Sequence, residues 1–247
     1  MSIRGNMQMR KGYIAHARGR ERQALDLYNR GYLLGTKLIN PLSAYAILLM
    51  RYGCAQDALT VLEYALSLRR NEKQTQDLVA NLGLAYWKTG QLDEAISIYE
   101  QLNDEGPNVQ NYGTLGFLYI ERDDEVGDYE ESLAFNQKAM AYDDGDAVIL
   151  DNMGQIHYRM AKYDEAKAYF ERALAQKEDQ FDSLVYLAKT HLQLGDTLQA
   201  KLLAQRAQAI DIQRGGLFTV SASDLQGLLN QLPAEGSSLL PEEIEEG

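Results

Sequence analysis

Small residues return along this chain at a nearly constant interval. They stand at Gly12, Ala46, Gly83, Gly116, Gly154 and Ala188, with gaps of 34, 37, 33, 38 and 34 residues. A second series follows the first by twelve residues, or by sixteen in the fourth unit, at Ala24, Ala58, Ala95, Ser132, Ala166 and Ala200. Two small series in register predict two closely packed helices in each unit. A repeat of this length is typical of a helical solenoid.

The third and fifth units show the pattern most clearly. Apolar residues recur at steps of three and four on both sides of Gly90, which predicts a helix, a short turn and a second helix. The fifth unit repeats the arrangement with Asn152-Met153-Gly154, Tyr158 and Tyr163-Asp164-Glu165-Ala166. These residues resemble the tetratricopeptide repeat family, and the resemblance covers about 210 of the 247 residues. It implies an all-α, right-handed superhelical solenoid of about six antiparallel helix pairs, over residues 1–213.

Departures from the repeat carry their own predictions. Gly31 and Gly35 fall in the second helix of the first unit, where glycine weakens a helix, so we expect a less regular terminal repeat. The fourth unit holds four extra residues within Glu121–Asp128, which predicts a longer, acidic turn between its helices. The large rings of Tyr86 and Tyr99 are expected to fill the space between neighbouring units.

The repeat pattern stops after Asp211. Residues 214–232 are predicted to form a linker and a capping helix, with Ser223 as its N-cap and an apolar stripe of leucines at 225, 228, 229 and 232. The acidic residues 233–247 are predicted to be a disordered tail. Residues 1–22 carry six basic groups and one acid, so the tail either folds back toward this end or stays solvated. The sequence leaves open whether the last helix covers the stack or occupies its groove.

Composition excludes several classes of function. The formal net charge of −12 argues against a nucleic-acid partner, because affinity for phosphate backbones comes from lysine and arginine. No apolar run reaches the roughly 20 residues that span a bilayer, so we expect no membrane insertion. The first ten residues lack a secretory signal. Cys54 is the only cysteine, which excludes a disulfide framework. We therefore expect a soluble, cytoplasmic protein.

No catalytic motif is present, and we predict a protein that is not an enzyme and needs no cofactor or metal. The chain lacks a phosphate-binding glycine loop, a zinc-protease helix motif and a nucleophile elbow. His157 and His191 are expected to pack between repeats. The acidic segment of the fourth unit does not match the spacing of a calcium-binding loop, since Arg122 would take the first ligand position.

The family resemblance implies that the first helix of each unit lines a concave groove that binds partner segments. The predicted groove residues lie one, four or five positions after each small residue. They are Tyr13, Met50, Trp87, Lys88, Phe117, Ile120, Gln155, Tyr158, Arg159 and Lys189. The alternative for each is that it packs between helices. Trp87 and Phe117 are the preferred contacts, because aromatic residues are frequent in binding hot spots.

These features predict a non-catalytic scaffold that binds a protein or peptide with hydrophobic or mixed character. The lysine and arginine clamp by which some family members grip a chaperone tail is missing at the corresponding positions, which include Ala80, Thr114 and Val148. Two alternatives remain open: a regulatory receptor that senses a peptide, and a structural scaffold that self-associates into a homo-oligomer.

Overall fold

A computed structural model describes residues 2–68, 72–210 and 220–232 of the chain, without the side chains of residues 72–74 and 222. Within these ranges the structure contains thirteen α-helices and no β-strand. The helices are α1 (Ile3–Ala17), α2 (Glu21–Leu33), α3 (Ile39–Arg51), α4 (Ala55–Ser67), α5 (Glu72–Lys88), α6 (Leu92–Glu105), α7 (Val109–Val126), α8 (Glu130–Tyr142), α9 (Ala147–Arg159), α10 (Tyr163–Gln176), α11 (Phe181–Gln193), α12 (Thr197–Gln208) and α13 (Ala222–Gln231).

The helices form six consecutive antiparallel pairs, from α1–α2 to α11–α12. First helices of neighbouring pairs pack on each other at α1–α3, α3–α5, α7–α9 and α9–α11, and each second helix packs on the first helix of the next pair. No two second helices within the described ranges make a comparable contact. First helices therefore line the inner side of the superhelix, and second helices form its outer side.

Each pair is held together by the small residues that the sequence repeats. All twelve of them are buried. A Cβ atom added at Gly83 would lie 2.8 Å from Cε2 of Tyr99, and one added at Gly154 would lie 2.6 Å from Cε1 of Phe170. The ring of Tyr99 covers Gly83 of its own unit and, as expected, also lies between units, beside Thr114 of the fourth. The space left by the missing side chain on the first helix is thus filled by an aromatic ring of the second helix.

The fourth pair replaces that ring with a buried amide. Asn136 on α8 lies against Gly116, and its Nδ2 donates to the carbonyl oxygens of Gly116 at 3.1 Å and Ser132 at 2.9 Å. Its Oδ1 accepts from Nδ2 of Asn152 on α9 at 3.1 Å. These bonds satisfy the buried amide and connect the fourth unit to the fifth.

The extra residues of the fourth unit form helix and not a longer turn. They add about one turn to α7, which continues to Val126 and ends at Gly127 with a φ of 75°. Asp123, inside the added turn, is buried, and its Oδ2 accepts from the backbone N–H of Ser132 at 3.0 Å. The prediction of a long acidic turn was wrong because this carboxylate caps the neighbouring helix and so gains a buried partner.

The first unit is more regular than its glycines suggest. Gly35 follows α2 and has a φ of 70°, so it terminates the helix and does not weaken it. Gly31 lies inside α2, where an added Cβ would approach the backbone nitrogen of Met9 to 2.9 Å. Gly31 therefore permits close contact between α1 and α2.

The last helix packs at the end of the stack against α12. Its leucines at 225, 228 and 232 are buried in one apolar cluster with residues of α11 and α12, and Leu229 is partly buried beside them. The N-cap is Ser221, which forms a capping box with Asp224, and not Ser223 as the sequence suggested. The predicted tail, 233–247, and the first part of the predicted linker, 214–219, lie outside the described residues.

Candidate functional site

Two adjoining cavities open on the inner side of the superhelix, between α5 and α7. Their volumes are about 510 and 410 Å³. They share five lining residues: Asn81, Leu84, Gly113, Thr114 and Val148. The helices α5 and α7 pack less closely than α3 and α5 or α7 and α9, which widens the inner surface at this point. The two cavities together form one trough, here called the central groove.

One wall of the central groove is aromatic and aliphatic. Trp87 on α5 meets Phe117 on α7 edge to face, with ring centroids 5.0 Å apart and an interplanar angle of 79°. Leu84 and Val148 extend this surface, and Val148 is 41% exposed. Lys88 Nζ lies 4.0 Å from the centroid of the Trp87 ring, where the face of the indole attracts a cation.

The opposite part of the groove is polar. Asn81 donates from Nδ2 to Ser43 Oγ at 2.9 Å, and Asn152 donates from Nδ2 to the carbonyl oxygen of Gly113 at 2.8 Å. These bonds join α3 to α5 and α7 to α9. The amides therefore fix the relative positions of the first helices whose side chains line the groove.

A buried carboxylate, Asp151 on α9, lines the second cavity. Ser183 Oγ donates to its Oδ1, and Gln155 Nε2 donates to its Oδ2 at 2.7 Å. Burial raises the pKa of Asp151 to about 7, and the negative charge of Asp182 acts in the same direction. The two hydrogen bonds and the charge of Arg159 oppose that shift. Because desolvation dominates, this site disfavours an isolated negative charge.

Asp182 lies at the start of α11 and lines the same cavity. Its Oδ1 accepts from the backbone N–H of Val220 at 3.1 Å. This bond links the segment that precedes α13 to the sixth unit. The Asp182 side chain therefore contributes to the charge of the groove and also holds the segment that leads to the last helix.

Arginine at the edge of the groove is occupied by acids of the chain itself. Arg159 Nε lies 2.7 Å from both carboxylate oxygens of Asp124, and its Nη2 lies 3.9 Å from Glu121 Oε1. The guanidinium also lies 5.3 Å from the centroid of the Tyr186 ring. Burial raises the pKa of Glu121, while Arg159 opposes that shift. The positive charge of Arg159 thus offsets the negative charge of Asp124 and Glu121 at the edge of the groove.

The lining of the two cavities is negative in sum. Four carboxylates and one ammonium group belong to it: Asp77, Asp146, Asp151, Asp182 and Lys177. The carboxylates come from α5, the N-cap of α9, α9 itself and α11. The central groove therefore combines an apolar wall with an acidic one.

Comparisons with known proteins agree with this architecture. A tetratricopeptide repeat model matches residues 147–179, and a second one matches residues 77–104. The third and fifth helix pairs thus match the tetratricopeptide repeat family. No curated protein matches it.

Solved structures of tetratricopeptide repeat proteins share the fold. A thermophilic protein from Thermus thermophilus superimposes with a TM-score of 0.63 at 19% identity, over 78% of this chain and 98% of its own. A protein from Parabacteroides merdae gives 0.52 at 17% identity, over 92% and 97%. The C-terminal part of a protein from Cytophaga hutchinsonii gives 0.54 at 18% identity, over 81% and 77%. At these identities the similarity concerns the fold alone.

In this array of helix pairs the predicted groove residues are dispersed. Trp87 and Phe117 line the central groove, and Lys88 lies over Trp87. Tyr158 and Lys189 line a separate cavity of about 330 Å³ beside α13. Arg159 lies at the rim. Tyr13 is 49% exposed on α1 and does not line either cavity of the central groove.

Four predicted groove residues are buried, and three of them do not line the central groove. Ile120 and Met50 are 0% and 4% exposed and belong to the core. Gln155 is also buried, where it donates to Asp151. In this structure these three side chains pack between helices, whereas Trp87 and Phe117, which occupy equivalent positions in their units, line the groove.

Sequence reasoning missed the polar half of the groove. Asn81, Thr114 and Asn152 each precede the small residue of their unit by two positions, and Asp151 precedes its own by three. Asp151 precedes Gln155 by four positions, and residues three or four positions apart lie on the same face of a helix. The same periodicity, extended toward the start of each first helix, would therefore have indicated these polar residues.

In the described ranges, no group of three histidine, cysteine or acidic residues could hold a metal ion. None of the helices described combines the length and apolarity that a bilayer crossing requires. The ring of His157 stacks on Tyr169 of its own unit, and the buried His191 lies 3.4 Å from Asp196.

Proposed function

We propose that this protein is a non-catalytic interaction module whose central groove binds an extended segment of a partner protein. The observation that carries the proposal is the accessible trough between α5 and α7, with Trp87, Leu84 and Val148 on one wall. Side chains of the first helices present apolar area together with amides that can pair with a peptide backbone. Such a combination suits a bound peptide, which needs buried apolar contacts and hydrogen bonds for its polar groups.

The helix pairs supply rigidity to this surface. Hydrogen bonds between first helices, such as the one from Asn81 to Ser43, hold the wall in place before a partner arrives. The entropy lost on binding then comes mainly from ordering the partner segment. The proposed role follows from a preformed groove and needs no reaction at the site.

The experiment uses a displayed library of random nine-residue peptides as the probe. Wild-type protein is expected to enrich a defined set of peptides, and their binding is expected to shift the emission of Trp87, the only tryptophan. Trp87→Ala and Val148→Glu should each weaken the selected peptides by about tenfold or more, since each changes a groove wall. Leu198→Ala, at a residue 68% exposed on α12, is the matched control and should bind as wild type.

Two results would contradict the proposal. One is failure to enrich any peptide over a blank support. The other is equal binding of the selected peptides to wild type and to both groove variants, with urea unfolding confirming that the variants are folded. Light scattering of the same samples separates the alternative of self-association, which would appear as a concentration-dependent mass without peptide.

A further inference from the structure

The acidic side of the central groove points to the chemistry of the segment that binds there. We propose that the groove selects a peptide carrying a lysine or arginine between aliphatic residues, with the cation beside Asp151 and Asp182 and the aliphatic side chains against Trp87, Leu84 and Val148. This inference rests on the proposed peptide-binding function and specifies its partner.

Charge complementarity favours a basic partner segment. The carboxylates of the lining come from three first helices and from one N-cap, while Lys177 is the one cationic residue among the described lining residues of the two cavities. The rim adds Lys88 and Arg159, but Glu121 and Asp124 stand beside them, and Lys88 also lies within electrostatic range of Asp182. A bound cation would therefore meet a net negative surface at short range, where the interaction is screened least.

The buried environment of Asp151 also favours a cation in the groove. Its carboxylate is removed from water, and burial together with Asp182 disfavours its negative charge. A cation placed in the cavity would relieve that repulsion, which an uncharged side chain cannot do. The neighbouring indole of Trp87, which already lies near one ammonium group, would accept the aliphatic stem of lysine or the plane of arginine.

The chain's own acidic end is a poor occupant of this groove. Residues 235–247 hold five glutamates and no basic residue, so their charge has the same sign as the lining. Like charges brought together in a partly buried site oppose binding. A segment from a partner with the opposite charge fits the surface better.

The test reads amino-acid frequencies in the peptides selected from the random library. Lysine and arginine together are expected to be enriched at one position, with leucine, isoleucine or valine on either side. For one selected peptide, replacement of the basic residue by norleucine should weaken binding to wild type by about tenfold, the effect typical of a charge-assisted contact. Replacement by glutamate should weaken it further.

Variants of the protein that lack a carboxylate test whether the cation of the peptide binds in the groove. Asp151→Asn should lose affinity for the basic peptide by about tenfold yet bind the norleucine analogue within about twofold of wild type. A double variant, Asp77→Asn with Asp146→Asn, retains a residue type that caps helices well and should show a smaller loss. Glu63→Gln, at an exposed position of the outer helix α4, is the matched control and should not change either affinity.

The outcomes distinguish this inference from the proposed function. Enrichment of peptides that are acidic or uncharged, with weakening by Trp87→Ala, would overturn the basic partner and leave the groove function standing. Absence of any enriched peptide would overturn both. Self-association that the basic peptide competes away would assign the groove to a second copy of this chain and overturn the separate partner.

Discussion

At the residue scale, the pairing of a glycine with a large ring determines how closely two helices approach. Gly154 leaves space that Phe170 fills completely, since the ring is 0% exposed. The second unit has Ala46 and Leu62 at the same two positions, and both are buried. A larger first residue is thus matched by a smaller second one. Between these two units the summed volume of the pair is similar, although the residue at each position differs.

This matching predicts the effect of Gly154→Ala. The added methyl group would meet Phe170 at 2.6 Å, so we expect the free energy of unfolding to fall by about 1–3 kcal/mol, as for overpacked cores. Adding Phe170→Leu, which copies the second unit, should recover part of that loss. Urea unfolding of both single variants and the double variant measures the interaction energy.

A control is available on the last helix. Gly227 lies inside α13, and an added Cβ would have no atom within 4 Å. Gly227→Ala should therefore raise stability slightly through the higher helix propensity of alanine. If Gly154→Ala is as neutral as Gly227→Ala, the close approach in the fifth unit does not constrain side-chain size.

Ala161 offers a stabilising substitution. The turn inside each unit contains a residue with positive φ, which is glycine at 19, 53, 90, 127 and 195 but alanine at 161, where φ is 57°. A Cβ atom in this region costs roughly 1 kcal/mol. Ala161→Gly should therefore raise the free energy of unfolding by up to about 1 kcal/mol, measured by urea titration. Gly90→Ala, the reverse change, should lower it by a similar amount.

Asp151 predicts a pH dependence of stability. Its pKa is about 7 in the folded protein against an ordinary value of 3.8, so the folded state binds a proton that the unfolded state has released. The free energy of unfolding therefore falls as pH rises from about 4 to 7 through this group. Asp182 adds to the upward shift, while Arg159, Ser183 and Gln155 reduce it.

The measurement compares Asp151→Asn with wild type from pH 5 to pH 8. The free energy of unfolding of the variant, taken relative to wild type, should rise by on the order of 2 kcal/mol between pH 5 and pH 8. Asp77→Asn, at an exposed residue of α5, should show a difference that does not change with pH. A constant difference for Asp151→Asn as well would mean that this carboxyl titrates normally.

At the element scale, α13 completes the apolar end of the stack. Leu225, Leu228 and Leu232 are 7%, 3% and 8% exposed, and they cover the sixth pair in the way that a following repeat would. A capping box at Ser221 and Asp224 begins the helix. Three buried leucines and a satisfied N-terminus together attach a short helix that would be marginal alone.

Leu228→Ala tests this attachment. The loss of a buried leucine side chain should lower the free energy of unfolding by about 2–3 kcal/mol. Leu198→Ala removes the same atoms from a residue 68% exposed on α12 and should change stability by less than about 0.5 kcal/mol. Equal effects in urea unfolding would show that α13 does not contribute to the stability of the array.

At the scale of the whole molecule, the groove is a property of several units together. Its carboxylates lie on α5, α9 and α11 and at the N-cap of α9, and its aromatic pair joins α5 to α7. The net charge of −12 adds a diffuse field of the same sign. Electrostatic attraction of a basic peptide should therefore act over the whole surface as well as at Asp151.

Salt separates these two contributions. Raising sodium chloride from 50 to 500 mM should weaken the basic peptide by several fold, because the Debye length falls from above 10 Å to below 5 Å. The norleucine analogue should change little. Isothermal titration at each salt concentration measures both, and an equal response of the two peptides would contradict an electrostatic origin.

Prediction from the sequence succeeded for the helix pairs and failed for parts of the site. Gly83, Ala95 and their equivalents set the register of every unit, and periodicity located the pairs, because both depend on contacts within one repeat. The predicted positions line the groove at Trp87 and Phe117 but are buried at Ile120 and Gln155, and Asn152 was missed. Which of the equivalent positions reaches the groove depends on how neighbouring units stack, which no single repeat encodes.

The chain alone determined an α-helical array with one repeating unit, since small residues at fixed spacing allow the two helices of each unit to pack closely. Tertiary packing decided where the inner surface opens, that the extra turn of α7 replaces a loop, and which carboxylate loses its water. Asp151 shows the reason. Its environment is made by Ser183 and Asp182, about thirty residues away, and burial by distant residues is a consequence of folding that local sequence does not contain.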